Sequence, residues 1–137
     1  MNLHSVALEI SARVSELEGL IASYIGPVKS VSPPCSVLGF PESVDYHGTY
    51  SRGMSRIVDW PLMILTGAAD DQEAFARIGL YAATSGAGSL ISVLEADPPY
   101  TACDQVIVKT CEFDVITWQK QDFQGALFTL DVVGSGT

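Results

Sequence analysis

Basic side chains are scarce. Seven Lys and Arg stand against sixteen Asp and Glu, a net charge of −9 over 137 residues. A surface of that sign repels polyanions, which argues against broad nucleic-acid binding through phosphates. An acidic wall that DNA slides past without sticking is compatible with it. Cysteine is sparse as well. Cys35, Cys103 and Cys111 are odd in number, form no Cys-x-x-Cys pair, and lie far in sequence from His4 and His47. The pattern points away from a zinc site or a disulfide framework and predicts buried, reduced thiols. Long apolar runs are missing too, since no segment reaches the roughly 18 residues of a membrane span. Residues 1–18 lack a basic start followed by an apolar block, so no signal peptide is expected. The expected location is a reducing cytosol, unless the chain later leaves inside a larger particle.

What is present is apolar. Hydrophobic residues make up 47% and charged ones 17%. Such a chain is ordered, and residues 1–137 are expected to form one domain around one core. So few charges also suggest apolar surface that a partner covers.

Periodicity supplies the elements. Leu3, Ala7, Ile10, Val14, Leu17, Ile21 and Tyr24 recur at steps of four and three. This predicts one amphipathic helix, stopped at Gly26-Pro27, with Glu9 and Arg13 one turn apart on its polar side. Short strands are predicted at 36–40 and 43–47. The segment 57–67 reads as the most hydrophobic strand, central in its sheet, with a bulge or edge start near Pro61. A second helix opens at Asp70, with Glu73 as the capping return and Phe75, Ile78, Gly79 and Ala82 inward. Residues 85–89 break it, and Ser89 caps a short third helix carrying Leu90, Ile91, Val93 and Leu94. Segments 106–117 and 125–133 alternate as a strand pair around a polar turn at 119–124. The expected fold is α+β: a mostly antiparallel sheet of four to five strands, with a long N-terminal helix and two central helices packed on one face.

Catalytic patterns do not emerge. Ser85-Gly86-Ala87-Gly88 follows a helix and lacks the Gly-Lys-Ser/Thr of a phosphate loop. Asp45, His47 and Ser51 are too close along one strand and its loop for a triad, and no nucleophile elbow supports them. Asp70, Asp71 and Glu73 read as helix capping rather than a cation site. Neither a metal nor a cofactor is expected. Glu112, Asp114 and Asp131 sit on strands, as a solvent face or as a charged surface lining a channel or meeting a neighbour's arginine. Aromatic residues near strand ends and loops favour protein contacts. The candidate contact residues are Tyr46, Tyr50, Arg52, Arg56 and Trp118, centred on the Gly-rich loop at 48–56.

Three stretches together carry a family likeness. The first is Asp45-Tyr46-His47-Gly48-Thr49-Tyr50-Ser51-Arg52-Gly53, followed by the apolar strand ending Leu65-Thr66-Gly67. The second is Ser85-Gly86-Ala87-Gly88-Ser89 with Val93-Leu94-Glu95-Ala96. The third is the ending Ala126-Leu127-Phe128-Thr129-Leu130-Asp131-Val132-Val133-Gly134-Ser135-Gly136. In this order the chain resembles the tail terminator proteins of long-tailed bacteriophages, particularly those infecting actinobacteria. The resemblance implies an antiparallel sheet flanked by helices and a ring of about six copies closed by head-to-tail contacts. It implies a virion protein, assembled in the host bacterial cytoplasm, that caps the tail tube, stops its polymerisation and joins the tail to the head-completion (neck) proteins. DNA would pass through the lumen without specific binding. No catalysis, cofactor or membrane is implied.

Two alternatives stand beside this. One is another neck, head-completion or tail tube protein of the same virion. The other is a small metabolite-binding or enzyme domain with a ferredoxin-like layout, which requires a concave apolar pocket with convergent polar groups.

Overall fold

The computed structural model describes residues 2–17, 20–26, 34–46, 54–68, 72–84, 86, 88–95, 100–118 and 120–135. The elements in chain order are α1 (Leu3–Val14), β1 (Ala22–Ile25), β2 (Cys35–Leu38), β3 (Ser43–Tyr46), β4 (Met54–Ala68), α2 (Gln72–Tyr81), α3 (Leu90–Leu94), β5 (Gln105–Trp118) and β6 (Gln121–Ser135). The fold is α+β. Its sheet has six strands rather than four or five, in the order β1-β2-β4-β6-β5, with β3 also on β4. All the described pairings are antiparallel except β1 with β2.

The strand missing from the sequence expectation is β1. The apolar spacing of three and four predicts a helix up to Tyr24, but α1 ends at Val14 with Ser15 as its cap. Leu17 remains buried by local turn bonds, whereas Ile21 is 68% exposed. Beyond it, Ala22–Ile25 pairs in parallel with Cys35–Leu38. Tyr24 and Ile25 favour a strand, and with a sheet edge within reach the segment takes it, because pairing outweighs a weak helical preference. At the other end Asn2 caps α1, its side chain accepting the Ser5 amide at 3.0 Å. Val6, Ala7, Ile10 and Val14 form the buried stripe.

β4 is the central strand, as its apolar run predicts. One edge is shared, with β2 pairing to residues 62–65 and β3 to residues 55–58. The other edge pairs with β6 along its length. Pro61 sits where this arrangement tolerates it. Its carbonyl accepts the Gly39 amide at 3.0 Å, so its missing N–H faces the gap between β2 and β3 rather than the β6 ladder.

The main core lies between the sheet and all three helices. Leu62 and Ile64 of β4 and Ala126, Phe128, Leu130 and Val132 of β6 meet Val6, Ile10, Ile78, Tyr81, Leu90 and Leu94. In α2 the inward residues are Ala74, Ile78 and Tyr81. Phe75 and Gly79, expected inside, face outward, and Phe75 is 74% exposed. The Asp70 cap lies outside the described residues. Ser89 does cap α3, accepting the Ser92 amide at 3.3 Å. Glu9 ties α1 to the approach to β5, accepting the Thr101 amide at 2.8 Å and that of Ala102 at 2.9 Å. Arg13 lies over the Tyr100 ring, 3.7 Å from its centroid.

The β5–β6 hairpin is longer and its turn tighter than the polar composition of 119–124 suggests. Trp118 pairs with Gln121, and Lys120 turns the chain in the left-handed region at φ 65°. Gln121, Asp122 and Gln124 are strand residues.

Candidate assembly surfaces

The expected contact residues do not converge. Tyr46 ends β3, its backbone in register with Ser55. Tyr50 and Arg52, with most of the loop at 48–56, lie outside the described residues. Arg56 and Trp118 sit at opposite ends of the sheet, beside Val133 and Gln121 of β6. That is roughly 40 Å along the strand.

Arg56 is held within its own chain. Its Nε donates to Asp131 Oδ2 at 3.1 Å, and Nη2 donates to the same oxygen. The anchor is a β-bulge. Ile57 and Trp60 both enter the core although they are three apart, because Val58 and Asp59 together oppose the single residue Asp131. Asp59 takes φ 52°, and its amide donates to Asp131 Oδ1 at 3.2 Å. A second bulge in β5 sets Lys109 at the same level. Lys109 Nζ donates to Asp59 Oδ1 at 2.7 Å and lies 3.7 Å from Asp131 Oδ1. The Lys109 hydrogen bond holds the Asp59 carboxyl below its usual range. Asp131, one of the acids whose place the sequence left open, is therefore an internal anchor, 5% exposed. Glu112 and Asp114 stand at the surface.

Trp118 belongs to a different feature. On the face of the sheet away from the helices, a small cluster of Cys35, Leu65 and Phe123 is flanked by Tyr24, Met63 and Trp118. Beside it opens an apolar groove of about 270 Å³, lined by Val37, Phe40, Pro61, Met63, Trp118 and Leu127. Phe40 is 74% exposed at its rim. On the helix side, Leu8 of α1 and Phe75 and Leu80 of α2 point outward. Between α2 and the far half of β5 lies a larger groove of about 560 Å³, lined by Phe75, Ile78, Phe113, Val115, Gln124 and Gly125. Apart from Trp118, none of these groove residues is among the candidate contacts that the sequence suggests. The alternation of Phe113 and Val115 with Glu112 and Asp114 is the one visible trace.

Cys35, Cys103 and Cys111 form no disulfide. Burial pushes Cys103 up to about 11 and raises Cys111, so neither is a ready nucleophile at neutral pH. Among the described residues, no cluster of three His, Cys, Asp or Glu is placed to hold a metal ion. Among them, no helix is long and apolar enough to cross a membrane. No protein-family model matches the chain, and comparison with curated proteins finds no match.

Proposed function

We propose that this chain is a structural virion subunit of the tail terminator kind its sequence resembles. Copies of it close into a ring that caps the tail tube, stops tube growth and joins the tail to the neck proteins. One observation carries this reading: apolar side chains stay open on both sides of a sheet whose core is already filled. The groove around Met63, Leu127 and Trp118 lies on one side, and Leu8 and Leu80 lie on the other. Two unlike apolar surfaces on opposite sides suit a head-to-tail contact, which closes into a ring when the rotation per subunit allows. The role is mechanical, and no step of bond-making is assigned to any residue. The acidic balance suits a lumen that DNA crosses without being gripped.

Native mass measurement of the purified chain tests the reading. A closed ring is expected, dissociated by Met63→Asp in the groove. Mixed with polymerising tube subunits, the ring should sit at tube ends and shorten the tubes. A monomer at all concentrations, or a subunit repeated along the shaft, would overturn it. So would turnover of a small compound in the groove beside α2.

A further inference from the structure

β5 is the last strand of the sheet, and its outer edge runs for 14 residues. Folded proteins usually blunt such an edge, because a row of unpaired N–H and C=O groups is a template for another strand. Among the described residues no strand pairs with this edge, and the far half keeps its template. Val115 N–H donates to its own neighbour's carboxylate, Asp114 Oδ1, at 2.8 Å. That amide therefore points away from β6, and the antiparallel alternation turns the amides of Cys111 and Phe113 the same way. On the helix side of this half, Phe113 is 59% and Val115 52% exposed, beside the 560 Å³ groove under α2. On the opposite side Glu112 and Asp114 reach into solvent.

We propose that residues 110–117 accept an added strand from a second protein, an extended segment in which apolar side chains alternate with Lys or Arg. The backbone of the segment pairs with the open edge. Its apolar side chains fall opposite Phe113 and Val115 and enter the groove. Its basic side chains fall opposite Glu112 and Asp114. Asp114 releases the Val115 amide to the incoming carbonyl and turns to the incoming cation. The charge decides the occupant. A second copy brings sixteen acids and only seven bases. Arg13, Arg56 and Lys109 are already engaged inside the chain. A segment that alternates apolar residues with Lys or Arg is the better complement, and this acid-rich sequence holds no such run, so the occupant is a different protein. The proposal needs only one copy of this chain, so it stands or falls separately from the ring.

The probe is a short fluorescent peptide alternating lysine and valine, followed by anisotropy and by amide exchange. Binding is expected to protect residues 110–117 and to weaken as salt rises. A glutamate-valine peptide should bind about tenfold more weakly or worse. Val115→Pro should lower affinity by about tenfold or more while leaving the hairpin folded, because that N–H lies outside the β6 ladder. Should that variant fail to fold, Glu112→Lys with Asp114→Lys supplies the second test: it should reverse the preference between the two peptides. Equal binding of both peptides, unchanged binding by Val115→Pro, or protection elsewhere would overturn the proposal. Protection of residues 110–117 in the protein alone would do the same, since a second copy would then hold the edge.

Discussion

The β5–β6 hairpin has a root and an arm, and the same alternation has opposite fates in the two. At the root, Val106, Leu130 and Val132 are at most 1% exposed beneath the helices, and Asp131 stitches both neighbouring strands to β6. In the arm, Phe113 and Val115 occupy the same helix-side row yet stand more than half exposed. Residue type does not separate them. What separates them is whether an element lies over the strand, because burial is a property of the packed pair and not of the strand alone.

Substitutions along the hairpin should reproduce that contrast in urea unfolding. Leu130→Ala at the root empties a fully buried site and should cost about 3–5 kcal/mol. Asp131→Ala comes next, at about 1–3 kcal/mol, because it strips the Asp59 amide and Arg56 of their acceptor and removes a charge beside Lys109, while Arg56 stays half in solvent. Gly125→Ala, inside the arm, should cost about 1–3 kcal/mol by overpacking. A Cβ there would collide with the Ile116 side chain and come within 3.3 Å of Leu65 Cδ2. Adding Ile116→Ala should recover part of that loss, and no recovery would mean the strain lies in the backbone. Phe113→Ser, at the open end, should stay within about 0.5 kcal/mol. A cost above about 2 kcal/mol at Phe113 would show that the arm is covered in solution and would break the comparison.

Acid sharpens it from the root side. Burial opposes the Glu9 charge, but the Thr101 and Ala102 amides outweigh it, so its carboxyl lies below the ordinary 4.5. A lowered value in the folded state means that Glu9 stabilises fully above about pH 4.5 and progressively less as pH falls below it. Glu9→Gln should flatten the acid limb of the stability profile there. An unchanged limb would place the amide bonds outside the folded state in solution.

The sequence was legible where a residue's environment is local. Period-two runs marked both long strands, the run from Leu62 to Leu65 marked the centre of the sheet, and Ser89 marked its helix. It misled where two patterns overlap by chance. Ile21 and Tyr24 continue the stripe of α1, and only the distant partner Cys35–Leu38 makes their neighbourhood a strand. The candidate surfaces were the least legible. Trp118 stood out as a large aromatic at a strand end, but Met63 and Leu127 did not stand out from their strands, because nothing local says which face the helices leave bare. Arg56 read as a contact residue for another chain because its partner in this one lies 75 residues away. Phe75 read as inward because it was grouped with Ile78, Gly79 and Ala82, whereas the buried stripe runs through Ala74, Ile78 and Tyr81 and leaves Phe75 beside it.

One inserted residue determines which way the arm faces. Up to Val108 the even-numbered side chains of β5 point to the helices, and after Lys109 the odd-numbered ones do, so that Cys111 and Phe113 stand opposite Phe128 and Ala126. Lys109 thus acts as a half-period offset between two rows. Drawing it into the ladder as an ordinary strand residue would swap the arm's oily and acidic sides without altering a letter of the chain, whereas deleting it would straighten the strand and leave them where they are.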